Sequence, residues 1–191
     1  MNKTAIGFAM TGSFCTFAKA LEQAKLFAEQ GKWDLYPILS ENAYTMDTRF
    51  GTAQSTIETL EQLSGRSVIH TIPQAEPIGP KKLLDVLVVA PCTSNTLAKI
   101  ANGINDTPVT MAVKSHIRND RPVVLAVSTN DALAAAGRNI GQLLNQRNLY
   151  FVPMKQDDPQ GKPRSVVAEL SLLIPAVEAA LEGRQLQPIL L

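Results

Sequence analysis

Residues 85–90, Asp-Val-Leu-Val-Val-Ala, restrict the fold more than any other stretch of this chain. After Asp85 every position is apolar, so a strand built from them has no face for water. Their brevity and β-branched content favour a strand over a buried helix. A strand apolar on both faces needs a layer on each side, the condition met by a parallel sheet covered with helices. Similar short runs recur at 4–10, 34–39, 122–128 and 149–152, with a shorter one at 67–72. Helical patterns fill the gaps at 17–30, 52–63, 95–101, 107–117 and 138–145, with a helical turn at 80–84. Gly31 and Gly65 stand where two of these should end. A last amphipathic pattern covers 163–181, where Pro175 must kink or divide the helix.

The alternation predicts an α/β fold: one doubly wound, Rossmann-like parallel sheet of about six strands, with helices on both faces. Residues 1–191 are expected to form a single domain. Residues 153–163 then form a ligand-site loop, and 164–182 a C-terminal helix.

Composition matters here for what it excludes. With 18 basic against 17 acidic residues the net charge is +1, and no basic run exceeds Lys81-Lys82, so nothing favours a nucleic-acid surface. Cys15 and Cys92 are too few for a disulfide framework and match no metal spacing. The apolar run at 5–10 is shorter than a signal-peptide core, and no stretch reaches membrane-spanning length. A reducing cytoplasm is the expected location.

In such sheets ligands bind outside the carboxyl ends of the strands. Those ends carry Thr11-Gly12-Ser13, Ser40-Glu41-Asn42, Pro91-Cys92-Thr93-Ser94-Asn95-Thr96, Ser128-Thr129-Asn130-Asp131 and Pro153-Met154-Lys155-Gln156-Asp157-Asp158. Small hydroxyl and glycine residues at strand-to-helix turns suit a phosphate, because free N–H groups and the helix dipole hold the anion. The same residues also cap helices, so each taken alone has a purely structural reading. Together they predict one composite site.

A P-loop is excluded: Gly161-Lys162-Pro163 lacks the required hydroxyl. The dinucleotide fingerprint is missing where Gly7 and Gly12 stand five apart, which weakens a nicotinamide cofactor. A mononucleotide such as FMN needs one phosphate site, supplied by 11–16 and 93–96. It also needs a slot for a flat ring, with Ala90, Pro91 and the 128–131 turn as a wall.

The segment from Ala90 to Thr110 reads A-P-x-[ST]-x-N-T-x-A-K-x-A-x-G-I-x-D-x-x-x-T, filled by Pro91, Thr93, Asn95, Thr96, Ala98, Lys99, Ala101, Gly103, Ile104, Asp106 and Thr110. With Met-Thr-Gly-Ser-Phe after the first strand and Ser-Glu-Asn-Ala after the second, it resembles the flavoprotein family. That family includes phosphopantothenoylcysteine decarboxylases, lantibiotic-modifying decarboxylases and flavin prenyltransferases. The resemblance implies FMN held by Thr11, Gly12, Ser13, Ser40, Ala90, Pro91, Thr93, Asn95, Thr96, Ser128 and Thr129, in a homo-oligomer that completes its flavin sites across subunits.

Within the family, Val-Ser-Thr-Asn-Asp-Ala-Leu at 127–133 and Phe-Val-Pro-Met-Lys-Gln-Asp-Asp-Pro-Gln-Gly-Lys-Pro at 151–163 are similar to one particular branch. Its members help oxidise a dihydrodipicolinate-type precursor to pyridine-2,6-dicarboxylate in the mother cell of sporulating bacteria. Their partner is a dehydrogenase-like A subunit, through which NAD(P) would enter. The decarboxylase features are missing. Pro77-Ile78-Gly79 stands where those enzymes carry a catalytic His, leaving His70 as the nearby candidate, and Ser128-Thr129-Asn130-Asp131 replaces their Pro-Ala-Met-Asn. No Arg-Glu pair at 128–129 supports a flavin prenyltransferase. The alternative to a catalytic subunit is an assembly subunit that keeps the nucleotide fold.

Catalytic candidates are few. Cys92, near a helix start, is either an activated thiol or a packed core residue. Lys155, Asp157 and Asp158 either serve a dicarboxylate, with Asp as a base whose pKa burial raises, or form a solvated turn. Arg118 and Arg164 have the fork that clamps carboxylates and equally suit the surface. His116 is expected on an exposed helix face, and Trp33 and Tyr36 in the core or at a subunit contact.

Overall fold

The computed structural model describes residues 3–191. Its strands are β1 Thr4–Met10, β2 Trp33–Leu39, β3 Val86–Cys92, β4 Val123–Thr129, β5 Leu149–Phe151, β6 Met154–Lys155 and β7 Val166–Ala168. The parallel part runs β2-β1-β3-β4-β5. The outer edge of β4 is shared: 123–125 pair with β5, while Ser128 and Thr129 pair antiparallel with β7, which in turn pairs with β6.

The helices are α1 Phe17–Glu29, α2 Glu41–Thr45, α3 Ala53–Ser64, α4 Ile72–Ala75, α5 Ser94–Ala101, α6 Pro108–Ile117, α7 Gly137–Leu144 and α8 Leu173–Leu181. Their starts follow ordinary capping chemistry. Ser40, Thr52, Thr93 and Thr107 each accept a backbone N–H from three residues ahead. Gly65 closes α3 at φ +67°, a conformation that glycine adopts without a Cβ penalty.

The double-sided burial expected of residues 85–90 is realised by strict alternation. Val86, Val88 and Ala90 pack on one side with Ala20, Phe27, Leu60 and Val177, from α1, α3 and α8. Leu87 and Val89 pack on the other with Leu97, Val109, Val113 and Leu143, from α5, α6 and α7. Period-2 alternation thus divides one apolar strand between two cores.

Four expectations are corrected. The segment 164–182 is not one helix: β7 and a 3-10 turn, Leu170–Leu172, precede α8. Pro175 is the third residue of α8, where its missing N–H would have had no intrahelical acceptor, so it sits at a helix start and divides the segment. Residues 67–72 make only a single bridge, Ile69 to Ile38, because Thr71 and Gln74 form a capping box that starts α4. Residues 80–82 are turns. His116 is buried at 1% exposure, with Nε2 3.1 Å from the Pro122 carbonyl oxygen. Trp33 lies in the core, as expected.

Gly79 marks a close approach between the segment before β3 and α6. A Cβ there would lie 2.5 Å from the Ser115 carbonyl oxygen, which is backbone and cannot swing away. Gly79→Ala is therefore expected to destabilise the fold by about 2 kcal/mol. A urea midpoint equal to wild type would contradict this packing.

Candidate functional site

β1 and β3 are neighbours, yet the chain leaves them toward opposite faces. α1 packs in the core with Phe8 and Val88, and α5 in the core with Leu87 and Val89. That divergence is a topological switch point, where open α/β sheets place ligands.

A single buried side chain fastens the two loops that meet there. Thr11, 1% exposed, donates its hydroxyl to the Pro91 carbonyl at 2.8 Å and accepts the Thr93 N–H at 3.0 Å. β3 continues through Pro91 to Cys92, with a register shift against β4 between Val89 and Cys92. Proline brings no N–H to a ladder, and its own carbonyl and the Thr93 N–H turn to Thr11 instead.

The fastened loops form the floor of an open cleft of about 640 Å³, lined by Gly12, Ser13, Thr93, Ser94, Ser128 and Thr129. Ser13 Oγ and Ser128 Oγ are 2.8 Å apart, and Thr16 donates to the Ser13 carbonyl at 2.8 Å. Arg49 and Phe50 form one rim, and Asp157, Lys162 and Ser165 the opposite one. The second rim exists because β7 pairs against Ser128 and Thr129, bringing the long loop after β6 over the strand ends. Sequence reasoning missed Arg49, Phe50, Lys162 and Ser165 as cleft residues.

The remaining candidates have other surroundings. Thr11 serves as the fastener. Ser40 caps α2, and Thr96 is buried beneath its cap, receiving the Thr93 hydroxyl at 3.1 Å. Asn95 is exposed on the first turn of α5 and is not part of the cleft lining. Ala90 is fully buried, and Pro91 meets Thr16 and Ser128 in a small crevice behind the floor. The strand runs two residues further than expected, which carries Pro91 and Cys92 into the sheet, while Ala90 keeps its expected place in the strand.

The catalytic candidates are mostly committed elsewhere. Cys92 is fully buried, and burial pushes its thiol well up, so a thiolate is disfavoured there. Lys155 pairs with Glu169 at 2.6 Å, and that pairing, with Ser171 donating as well, lowers Glu169 to about 2. Asp158 caps the Gly161 N–H at 2.8 Å. Asp157 lines the cleft, but it is not buried into basicity: the Ser165 hydroxyl, then Lys162, hold its carboxyl below the usual range. His70 stacks on Tyr44 with ring centroids 3.8 Å apart, outside the cleft lining. Neither Arg118 nor Arg164 belongs to that lining. Among the described residues, no group of three or more His, Cys, Asp or Glu is arranged to hold a metal.

A mostly parallel sheet with helices on both sides and a hydroxyl-lined cleft at its switch point defines a nucleotide-fold protein, and the chain belongs to the Flavoprotein family, whose profile matches residues 1–166. It is 45% identical over 185 residues to the B subunit of dipicolinate synthase from Bacillus subtilis (strain 168), covering 97% of this chain and 92% of that protein. The crystal structure of the B subunit of dipicolinate synthase from Bacillus halodurans C matches with a TM-score of 0.90 and 41% identity, covering 100% of this chain and 98% of that one. The FMN-dependent cysteine decarboxylase SpaF shares the fold, with a TM-score of 0.69 at 19% identity, covering 94% of this chain and 97% of that one.

Proposed function

We propose that this chain is the B subunit of a dipicolinate synthase, which binds FMN in the cleft and helps oxidise a dihydrodipicolinate-type precursor to pyridine-2,6-dicarboxylate. The observation that carries this reading is the cleft at the β1/β3 switch point, in a chain similar over nearly its whole length to the B subunits of dipicolinate synthases. The donor set fits FMN. The hydroxyls of Ser13, Ser94 and Ser128, with the first N–H groups of the turn before α1 and of α5, suit its phosphate. The cleft volume falls in the usual range for cofactor sites. When bound, FMN supplies a hydride acceptor.

The protein's own part is positioning. Gly12 and Ser13 approach the phosphate, Thr93 holds the start of α5 in place, and Ser128 fixes Ser13. Asp157, held ionised, is a weak base and is suited to orient a donor rather than to take a proton from carbon. With Lys155, Asp158 and Cys92 committed elsewhere, the second reading is that proton or hydride transfer depends on the A subunit of dipicolinate synthase with its NAD(P), while this chain shapes the product site. The lost decarboxylase motifs speak against a decarboxylase or flavin prenyltransferase activity.

The chain is read as one domain working in the cytoplasm of the mother cell, with the loop after β6 as its ligand loop. An apolar groove of about 250 Å³ beside α7, flanked by exposed Leu133, Leu144 and Leu190, supports a homo-oligomer. Reconstitution tests the function: dipicolinate production by the A subunit is expected to rise when this chain and FMN are added. Equal rates with and without this chain would remove it from the reaction.

A further inference from the structure

The rim opposite Asp157 is a small built element. Thr48 and Gly51 exchange two backbone hydrogen bonds, Thr48 N–H to Gly51 oxygen at 3.0 Å and Gly51 N–H to Thr48 oxygen at 3.1 Å. This makes a two-residue turn with Arg49 and Phe50 at its tip. Gly51 has φ +143°, which only glycine adopts without strain. The Thr48 hydroxyl accepts the Phe50 N–H at 3.1 Å, and Asp47 Oδ1 anchors the base of the turn by accepting the Ala53 N–H at 2.9 Å.

The tip presents two chemistries to the cleft. The Arg49 guanidinium carbon lies 4.8 Å from the centroid of the Phe50 ring, a contact that restricts both side chains. Phe50 is 51% exposed, which leaves its ring accessible to a flat ligand. Arg49 makes no ion pair with any acid among the described residues. The only other cleft-lining cation among them, Lys162, already pairs with Asp157 at 3.3 Å. Two cations against one carboxylate leave the cleft with a surplus positive charge, and it resides on Arg49.

We infer that the 48–51 turn selects the substrate: Arg49 receives one carboxylate of a small planar dicarboxylate with its fork of N–H groups, and Phe50 offers a ring face to the heterocycle. The inference rests on the proposed dipicolinate synthase reading and assigns the substrate's place within that site. Guanidinium suits the task because it donates two parallel bonds to one carboxylate, which Lys cannot. Arg49 is a specificity-determining residue on a rigid turn, separate from the hydroxyl floor that suits the cofactor.

Calorimetric titration of the FMN-loaded full chain with dipicolinate and with picolinate, the monocarboxylate, tests this. Arg49→Gln is expected to weaken dipicolinate by about tenfold or more, the worth of a charged hydrogen-bonded pair. Arg49→Lys should fall between the two, Phe50→Ala should weaken both ligands, and FMN affinity should stay at the wild-type value in all three. Arg49→Gln protein that binds dipicolinate as wild type does overturns the inference. So does a parallel loss of FMN affinity, which would assign Arg49 to the cofactor phosphate, and so does wild-type protein that binds FMN but no dipicolinate. If wild type binds no FMN and dipicolinate still depends on Arg49, the flavin reading fails and the substrate clamp stands.

Discussion

Thr11→Val is expected to destabilise the protein by about 3 kcal/mol, because it removes a hydroxyl that satisfies two backbone groups at the end of β3, across from its own loop. The two side chains have nearly the same shape, so the loss reports hydrogen bonding rather than packing. Without the hydroxyl the Thr93 N–H has no acceptor, while the Pro91 carbonyl keeps only the Thr11 N–H at 3.2 Å. The β1 and β3 loops form the two sides of the cleft floor, so FMN affinity should fall together with stability. Thr11→Ser, which keeps the hydroxyl, should recover most of both. Urea unfolding at constant m-value with an unchanged midpoint would show that Thr11 does not fasten the loops.

Acidification is expected to remove roughly 3 kcal/mol of stability between pH 6.5 and pH 4 through His116 alone. Burial of the imidazole, the largest influence, lowers its pKa from 6.5 to about 4, so the folded protein keeps it neutral. Arg121 lowers it further, while the hydrogen bond to Pro122 and the charge of Asp85 act in the other direction. Unfolded chain takes up a proton near pH 6.5, but folded chain only near pH 4, so falling pH favours unfolding throughout that interval. Above pH 6.5 both states are neutral and the effect vanishes. Lowered carboxylates such as Glu169 and Asp157 act at still lower pH, leaving the upper part of the interval to His116. His116→Gln preserves a donor toward Pro122 and should flatten the slope of stability against pH there. A variant with the wild-type slope would assign the acid sensitivity to other groups.

The central fold was legible because burial on both faces leaves a strong trace in composition: Val86 to Ala90 could belong only to a covered parallel strand. The hydroxyl floor was legible for a related reason, since small polar residues directly after apolar strands stand out in any window. Features that depend on long-range pairing were not. Val166, Val167 and Ala168 continue a helical spacing into α8, and only the free edge of β4 beyond β5 makes them a strand. Thr71-Ile72-Pro73-Gln74 carried a readable capping box, yet the neighbouring β-branched residues outweighed it. Arg49 and Phe50 sit between two helices in no motif, and they reach the cleft only because the turn after α2 folds toward β1. His116 looked exposed because nothing in its own helix shows that its ring meets the Pro122 carbonyl and lies near Asp85 and Arg121.

The proposed function stands on hydroxyls from the ends of three neighbouring strands holding a flavin mononucleotide. Quenching of FMN fluorescence by the full chain, compared with a Ser13→Ala/Ser128→Ala double variant of unchanged circular dichroism, measures this without intermediate steps. Saturable binding is expected of the wild type, weakened about tenfold or more in the double variant, as for hydrogen bonds to a charged phosphate. Wild-type protein that shows no saturable quenching, or a double variant that binds FMN equally well, would contradict it.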